Sequence, residues 1–249
     1  MGEVGIWHEA WMRVSLLFAI PALCIACNTS QSPRPVASAP PPGSVSLVPP
    51  SNNAIALPAP KLDGPLSVER ALHDRRSLRA PSADALTLEQ VGQLCWAAQG
   101  VTDGKGHRTA SSARASYPLE LYVLAGAVNG LQPGMYRYEP ASHALQIAGA
   151  VDRRAELVEK SIGQAWISTA PAVFVITGRA DKMAKMKDRA VAFTNVEAGL
   201  ATQGFFLQAT SLGLGSTFVG GFEPRDARAV LGLSEAEEIL AVLPVGRRP

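Results

Sequence analysis

The chain has 249 residues, 47% of them apolar and 18% charged, and carries a formal net charge of +2. That length holds one domain of about 150–200 residues plus appended segments. The near balance of charge, with no long basic or acidic run, excludes a nucleic-acid surface of the usual strongly basic kind.

The first predicted element is an address. Met12-Arg13 precedes an apolar run, Val14 to Ala26, and then Cys27. One positive charge, a short apolar stretch and small residues before a cysteine describe a secretory signal. The run is about 13 residues, short of the roughly 20 that a spanning helix needs. It resembles a bacterial lipoprotein signal in which Cys27 becomes lipidated, although Cys24 stands where such signals usually carry leucine. An uncleaved anchor is the other reading. In both, Arg13 stays cytoplasmic and the domain faces outward, which implies a protein exported to the bacterial periplasm that touches a membrane only through this anchor. Met12 offers a second start site. Residues 1–27 are thus read as a leader. Residues 28–61, rich in Pro, Ser and Ala without apolar periodicity, are expected to form a tether. Residues 62–249 make the domain.

Within the domain, Ser67 caps a short helix through His73. Thr87-Leu-Glu-Gln90 has capping-box form and opens a helix to Gln99 that stops at Gly100. Val91, Leu94, Cys95 and Ala98 share one face of it, so Cys95 is read as core. A polar loop spans Thr102 to Ser116. Strands are expected at Leu119–Ala125 and Ala172–Thr177, with a hairpin pair at Gly134–Tyr138 and Ala144–Ala148. Helices are expected at Val151–Ile162, Asp188–Leu212 and Arg225–Leu231, and a last strand at Ile239–Val245. Strands and helices mix without steady βαβ alternation, which gives an α+β class.

Three stretches carry chemistry. Arg75-Arg76-Ser77-Leu78-Arg79 puts three guanidinium groups within five residues, a density that repels itself unless an anion sits among them. The planar arginine fork suits a phosphate, although taken on its own the run is better explained as a solvated basic turn. Thr109 to Pro118 combines small residues and hydroxyls that let backbone approach a flat ligand. In Leu212 to Phe222, Gly213-x-Gly215 lacks the strand-before-helix setting of a dinucleotide fingerprint, and helix termination explains Gly213. Adjacent Gly220 and Gly221 in a strand-like stretch suggest close backbone approach to a ligand. The four histidines show no metal spacing, Cys24-x-x-Cys27 lacks a second ligand pair, and Ser216 lacks a hydrolase elbow, so no metal is expected.

Taken together, these stretches resemble the FMN-dependent nitroreductase superfamily, and specifically its SagB-type dehydrogenase branch, from about Leu66 to Gly246. The carrying segments are RRSLR (Arg75–Arg79), LTLEQVGQLCWAAQGVTDGKGHRTASSA (Leu86–Ala113), YPLELYVLAG (Tyr117–Gly126), GMYRYEP (Gly134–Pro140), LGLGSTFVGGF (Leu212–Phe222) and LPVG (Leu243–Gly246). The resemblance implies a nitroreductase-like mixed sheet flanked by helices, with FMN at a homodimer interface. It assigns Arg75, Arg76, Ser77 and Arg79 to the FMN phosphate and the ribityl–pyrimidine side. Ser111, Ser112 and Ala113 fall in the second flavin loop, with Tyr117 near the isoalloxazine, and Gly220 and Gly221 lie beside the N5/O4 edge. The implied activity is hydride transfer between a reduced donor, NAD(P)H or another, and a small organic acceptor.

Three departures bear on substrate. Azoline dehydrogenases of this branch carry a Lys-Tyr pair where this chain reads Lys185-Met186, which leaves Lys185 as the one catalytic candidate. Ala115 replaces the broader family's asparagine, as in the SagB branch. The chain ends at Arg248-Pro249, close to where many relatives continue into further phosphate-binding basic residues, for which Arg247 and Arg248 are only the minority candidates as substitutes. An azoline-type dehydrogenase and a non-catalytic flavin-binding lipoprotein are the competing readings.

Overall fold

The computed structural model describes residues 53–248, so the leader and most of the expected tether lie outside the described residues. In chain order the elements are β1 (Ala54–Ala56), α1 (Val68–Asp74), β2 (Leu86–Thr87), α2 (Leu88–Gln99), β3 (Leu119–Ala125), β4 (Val128–Asn129), β5 (Gly134–Glu139), β6 (Ala144–Gly149), α3 (Arg154–Leu157), α4 (Trp166–Thr169), β7 (Ala172–Gly178), α5 (Ala190–Ser211), β8 (Leu214–Ser216), α6 (Pro224–Leu231) and β9 (Glu238–Arg247).

Local chemistry sets the helix starts. The Ser67 hydroxyl accepts from the Arg70 N–H at the head of α1. At α2 the Thr87 hydroxyl accepts from Gln90 N–H while the Gln90 side chain accepts from Thr87 N–H, a reciprocal box that satisfies two otherwise orphaned donors. Gly100 ends α2 for a different reason from the one its type suggests. Its φ is −68°, an ordinary value, but a Cβ there would sit 2.1 Å from the Trp96 ring.

Seven strands form one sheet in the order β1-β6-β5-β3-β7-β9-β8, each neighbouring pair antiparallel. Among the described residues, parallel pairing is confined to the β2–β4 ribbon and the isolated Ser77–Ser216 bridge. This is the α+β arrangement the mixed element pattern predicts. Strand alternation sends side chains to opposite faces. Leu121, Val123 and Phe174 join a core with α2 and α5, while Tyr122, Leu124 and Val175 join a second core with α3, α4 and α6. Central β7 is buried at every position, between β3 and β9. Phe174 meets Phe205 of α5 edge-on at 4.8 Å; burying such a ring contributes about 1.5–3 kcal/mol.

Several expectations are corrected. The stretch assigned to the tether enters the fold before residue 61. β1 pairs with β6, Leu57 is buried in the first core, and Leu57 N–H donates to the His143 carbonyl at 3.1 Å. An open sheet edge offers its unpaired carbonyls to any passing backbone, and so a short segment without periodicity becomes a strand. The expected helix from Val151 divides into α3 and a single π turn, Val158–Ile162, closed by left-handed Gly163. The long helix begins at Ala190, after a 3-10 stretch over Ala180–Arg189. Residues 218–222 make one bridge, Val219 to Val242, rather than a strand.

Candidate functional site

The arginine run leaves α1 where Arg75 turns out of helical geometry, with φ −57° and ψ 121°. Asp74 is occupied locally: Arg70 and His73 hold its two oxygens at 2.6 and 2.7 Å. Those contacts keep its carboxyl below the ordinary carboxylate range, the His73 hydrogen bond contributing most. Among the described residues no carboxylate pairs with Arg75, Arg76 or Arg79. The Arg76 guanidinium donates back to the carbonyls of His73 and Arg75, both at 2.7 Å. Arg75 lies over the Phe206 ring of α5, 6.0 Å from its centroid, and Arg79 is exposed. Arg248 comes back from the chain end to donate to the Asp74 carbonyl at 3.2 Å. The C-terminal arginine therefore joins the cluster.

The next residue joins this cluster to the glycine-rich segment. Ser77 bridges Ser216 of β8, and Leu78 N–H donates to the Ser216 carbonyl at 3.0 Å. Gly215 makes the approach possible, since a Cβ there would lie 2.6 Å from Leu78 Cδ2. Ser216 is 5% exposed, and its buried hydroxyl has no hydrogen-bond partner. An unsatisfied buried hydroxyl costs about 1–3 kcal/mol unless a ligand or water meets it. Four residues on, Gly220 and Gly221 are exposed. A Cβ on Gly220 would collide with the Phe218 ring at 2.6 Å, whereas Gly221 has nothing within 4 Å. The chain's own packing thus accounts for Gly220, and Gly221 is the position open to an approaching ligand.

The second loop is strained. Arg114, Ala115 and Tyr117 all hold positive φ, at 55°, 52° and 46°. Hydrogen bonds keep it there: Tyr117 N–H donates to the Ser112 hydroxyl at 2.8 Å and the Ser116 hydroxyl to the Ala113 carbonyl at 2.8 Å. Ala113 N–H donates to Glu197 of α5 at 2.8 Å. Ser111 is exposed and Ser112 half-buried. Glu197, only 4% exposed, was not singled out by the sequence reading; its signal is a lone charge in an otherwise uncharged helix.

Within one chain, then, the Arg75–Arg79 run and β8 adjoin directly at Ser77–Leu78 and Gly215–Ser216, and Gly221 follows five residues later. The Ser111–Tyr117 loop attaches to α5 at Glu197, roughly nine residues before Phe206, or about 14 Å along the helix. Lys185 lies exposed on the 3-10 stretch before α5. Cys95 is fully buried and burial raises its thiol pKa, which leaves it a core residue. Carboxylate-free guanidinium groups, an unpartnered buried hydroxyl and a bare glycine fit an anionic ligand with a flat portion.

Comparison with known proteins gives a consistent match. A family model described as "Nitroreductase family" matches residues 72–247. A protein of Methanocaldococcus jannaschii assigned as a nitroreductase is 35% identical over 184 residues, covering 74% of this chain and 92% of that protein. A Ralstonia eutropha JMP134 protein, assigned likewise, has a crystal structure that superposes with a TM-score of 0.70 at 29% identity, covering 82% of this chain and 93% of its own. The NADPH:FMN oxidoreductase of Vibrio harveyi, solved with NAD+, shares the fold with a TM-score of 0.53 at 20% identity, covering 72% and 68%.

Proposed function

The chain belongs to the nitroreductase family of oxidoreductases, and we propose that it works with FMN held between the Arg75–Arg79 cluster and the Gly221 backbone. The observation that supports this reading is the Ser77–Ser216 bridge, which joins the carboxylate-free arginine run to the segment that carries the unpartnered Ser216 hydroxyl and, five residues on, open Gly221. FMN, when bound, supplies the hydride chemistry. The chain's residues bind and orient. Arg75, Arg79 and Arg248 offer forked donors to the phosphate. Arg76, turned onto the end of α1, adds charge while it holds the run in place. Ser77 and Ser216 offer hydroxyls, and Gly221 lets backbone N–H groups approach without a side chain between.

Ser111, Ser112, Ala113 and Tyr117 form the second flavin loop in this reading. Their attachment about 14 Å along α5 is consistent with a homodimer in which a second copy brings that loop to the flavin. Exposed Val196 and Leu200, one turn apart on α5, supply an apolar surface for such a contact. A sedimentation mass of one chain at micromolar concentration would remove the dimer from the account. Azoline oxidation in the SagB manner is the weaker alternative, because Lys185 is followed by Met186 rather than tyrosine. We further propose export and anchoring through lipidated Cys27, testable by radiolabelled fatty-acid incorporation that Cys27→Ser abolishes.

The activity test is direct. The protein reconstituted with FMN is expected to be yellow, to bleach anaerobically with NADH or NADPH, and to regain colour with a nitroaromatic or quinone. A protein that stays colourless in excess FMN would end this reading.

A further inference from the structure

Away from the arginine cluster, the start of β3, the end of β5 and the loop after α2 enclose a polar cavity of about 280 Å³. It displaces roughly nine waters at about 30 Å³ each. Its charges are unevenly matched. Glu120 already holds Lys182 and Arg137, and Glu139 holds Arg137. Arg108 has no carboxylate at salt-bridge distance among the described residues. Its Nη1 donates to the neutral Gln99 amide oxygen at 2.8 Å, and its guanidinium lies over the Tyr117 ring, 4.4 Å from the centroid.

A half-buried guanidinium pays a desolvation penalty that a neutral amide only partly offsets. Burial accordingly presses the Arg108 pKa down, against the pull of nearby Tyr117 and Glu120. Gln99, itself 3% exposed, and the Tyr117 ring fix the orientation of the group. Four of its five N–H donors are left for other acceptors, so the fork is held ready before any ligand arrives. Three cations facing two carboxylates leave one positive charge, which a monoanion balances and a phosphate dianion overshoots.

We propose that this cavity is a binding site for a small monoanionic organic carboxylate, gripped by the Arg108 fork beside Tyr117. The site is separate from the proposed phosphate cluster but shares Tyr117 with the proposed second flavin loop, so titrations with and without FMN separate failure of the carboxylate site from failure of the flavin reading.

The probe is benzoate, of about nine heavy atoms and so matched to the cavity, with benzamide as its neutral counterpart and inorganic phosphate, on the alkaline side of its second ionisation, as the dianion. Calorimetric titration of the full chain is expected to show saturable binding of benzoate and none of benzamide, while inorganic phosphate, which the Arg75–Arg79 cluster can take, is expected to leave the Arg108 Nε–H resonance unmoved. Arg108→Gln is expected to weaken benzoate at least about tenfold, the scale of a charge-assisted hydrogen bond. Arg108→Lys, which keeps charge and loses the fork, is expected to fall between. In the wild-type protein the Arg108 Nε–H resonance is expected to move with benzoate and not with benzamide, a readout that requires no variant to fold. Absent benzoate binding, equal binding of benzamide, or an unmoved Arg108 resonance would each overturn the proposal.

Discussion

Arg114 occupies left-handed backbone, with φ 55° and ψ 28°, and its side chain is exposed. An L-residue held there costs about 1–2 kcal/mol, while glycine gives part of that back through a freer unfolded chain. Arg114→Gly is therefore expected to stabilise the protein by about 0.5–1 kcal/mol, read as a higher urea midpoint with unchanged slope. A lower midpoint would mean that the Arg114 side chain makes contacts worth more than the strain. His143 gives a pH prediction. It is 2% exposed, with Nδ1 taking the Tyr138 hydroxyl at 2.8 Å and Nε2 donating to the Pro58 carbonyl at 2.9 Å. Burial depresses its pKa below 6.5, with the Pro58 contact pulling the other way. The unfolded chain thus takes up this proton at higher pH than the folded one. The stabilisation is complete above about pH 6.5 and is lost as pH falls through the lower folded value. His143→Gln is expected to flatten the stability profile just below pH 6.5; an unchanged slope there would assign the titration elsewhere. At this scale the arginine run was legible because its charge density is unusual on any background. Ser216 and Glu197 were not, because what marks them is a missing partner or a distant loop, and neither is visible from sequence neighbours.

The N-terminal segment is the element whose role changes most between sequence and structure. β1 pairs with β6, Leu57 is buried, and Lys61 and Gln93 exchange hydrogen bonds of 2.8 and 2.9 Å. All of this precedes residue 72, where the family match begins. One buried leucine at about 1.5–3 kcal/mol and several hydrogen bonds at about 1 kcal/mol each suggest a melting difference on the order of 10 °C. A chain beginning at Lys61 is expected to melt lower than one beginning at Asn53 by that amount. Equal melting temperatures would mean that the sheet edge closes without the strand. Helices α1 and α2 were legible from their caps, which are local. β1 and β8, three residues each, have too few positions for alternation to register. They exist because β6 and β9 offer them partners elsewhere in the sequence.

For the whole molecule, the α+β class follows from the element pattern, since hairpins and separated helices force an antiparallel sheet with helices on both faces. What the pattern could not give is the meeting of segments 139 residues apart in numbering, Ser77 with Ser216. That meeting carries the functional proposal, and flavin affinity tests it most directly. Fluorescence titration of FMN into the wild-type chain, Arg75→Ala and Gly221→Val measures both sides of the site in one experiment. Arg75→Ala is expected to weaken binding by about 1–3 kcal/mol, or roughly 5- to 150-fold, and Gly221→Val to weaken it by blocking close backbone approach. Affinity unchanged by both substitutions would contradict the account.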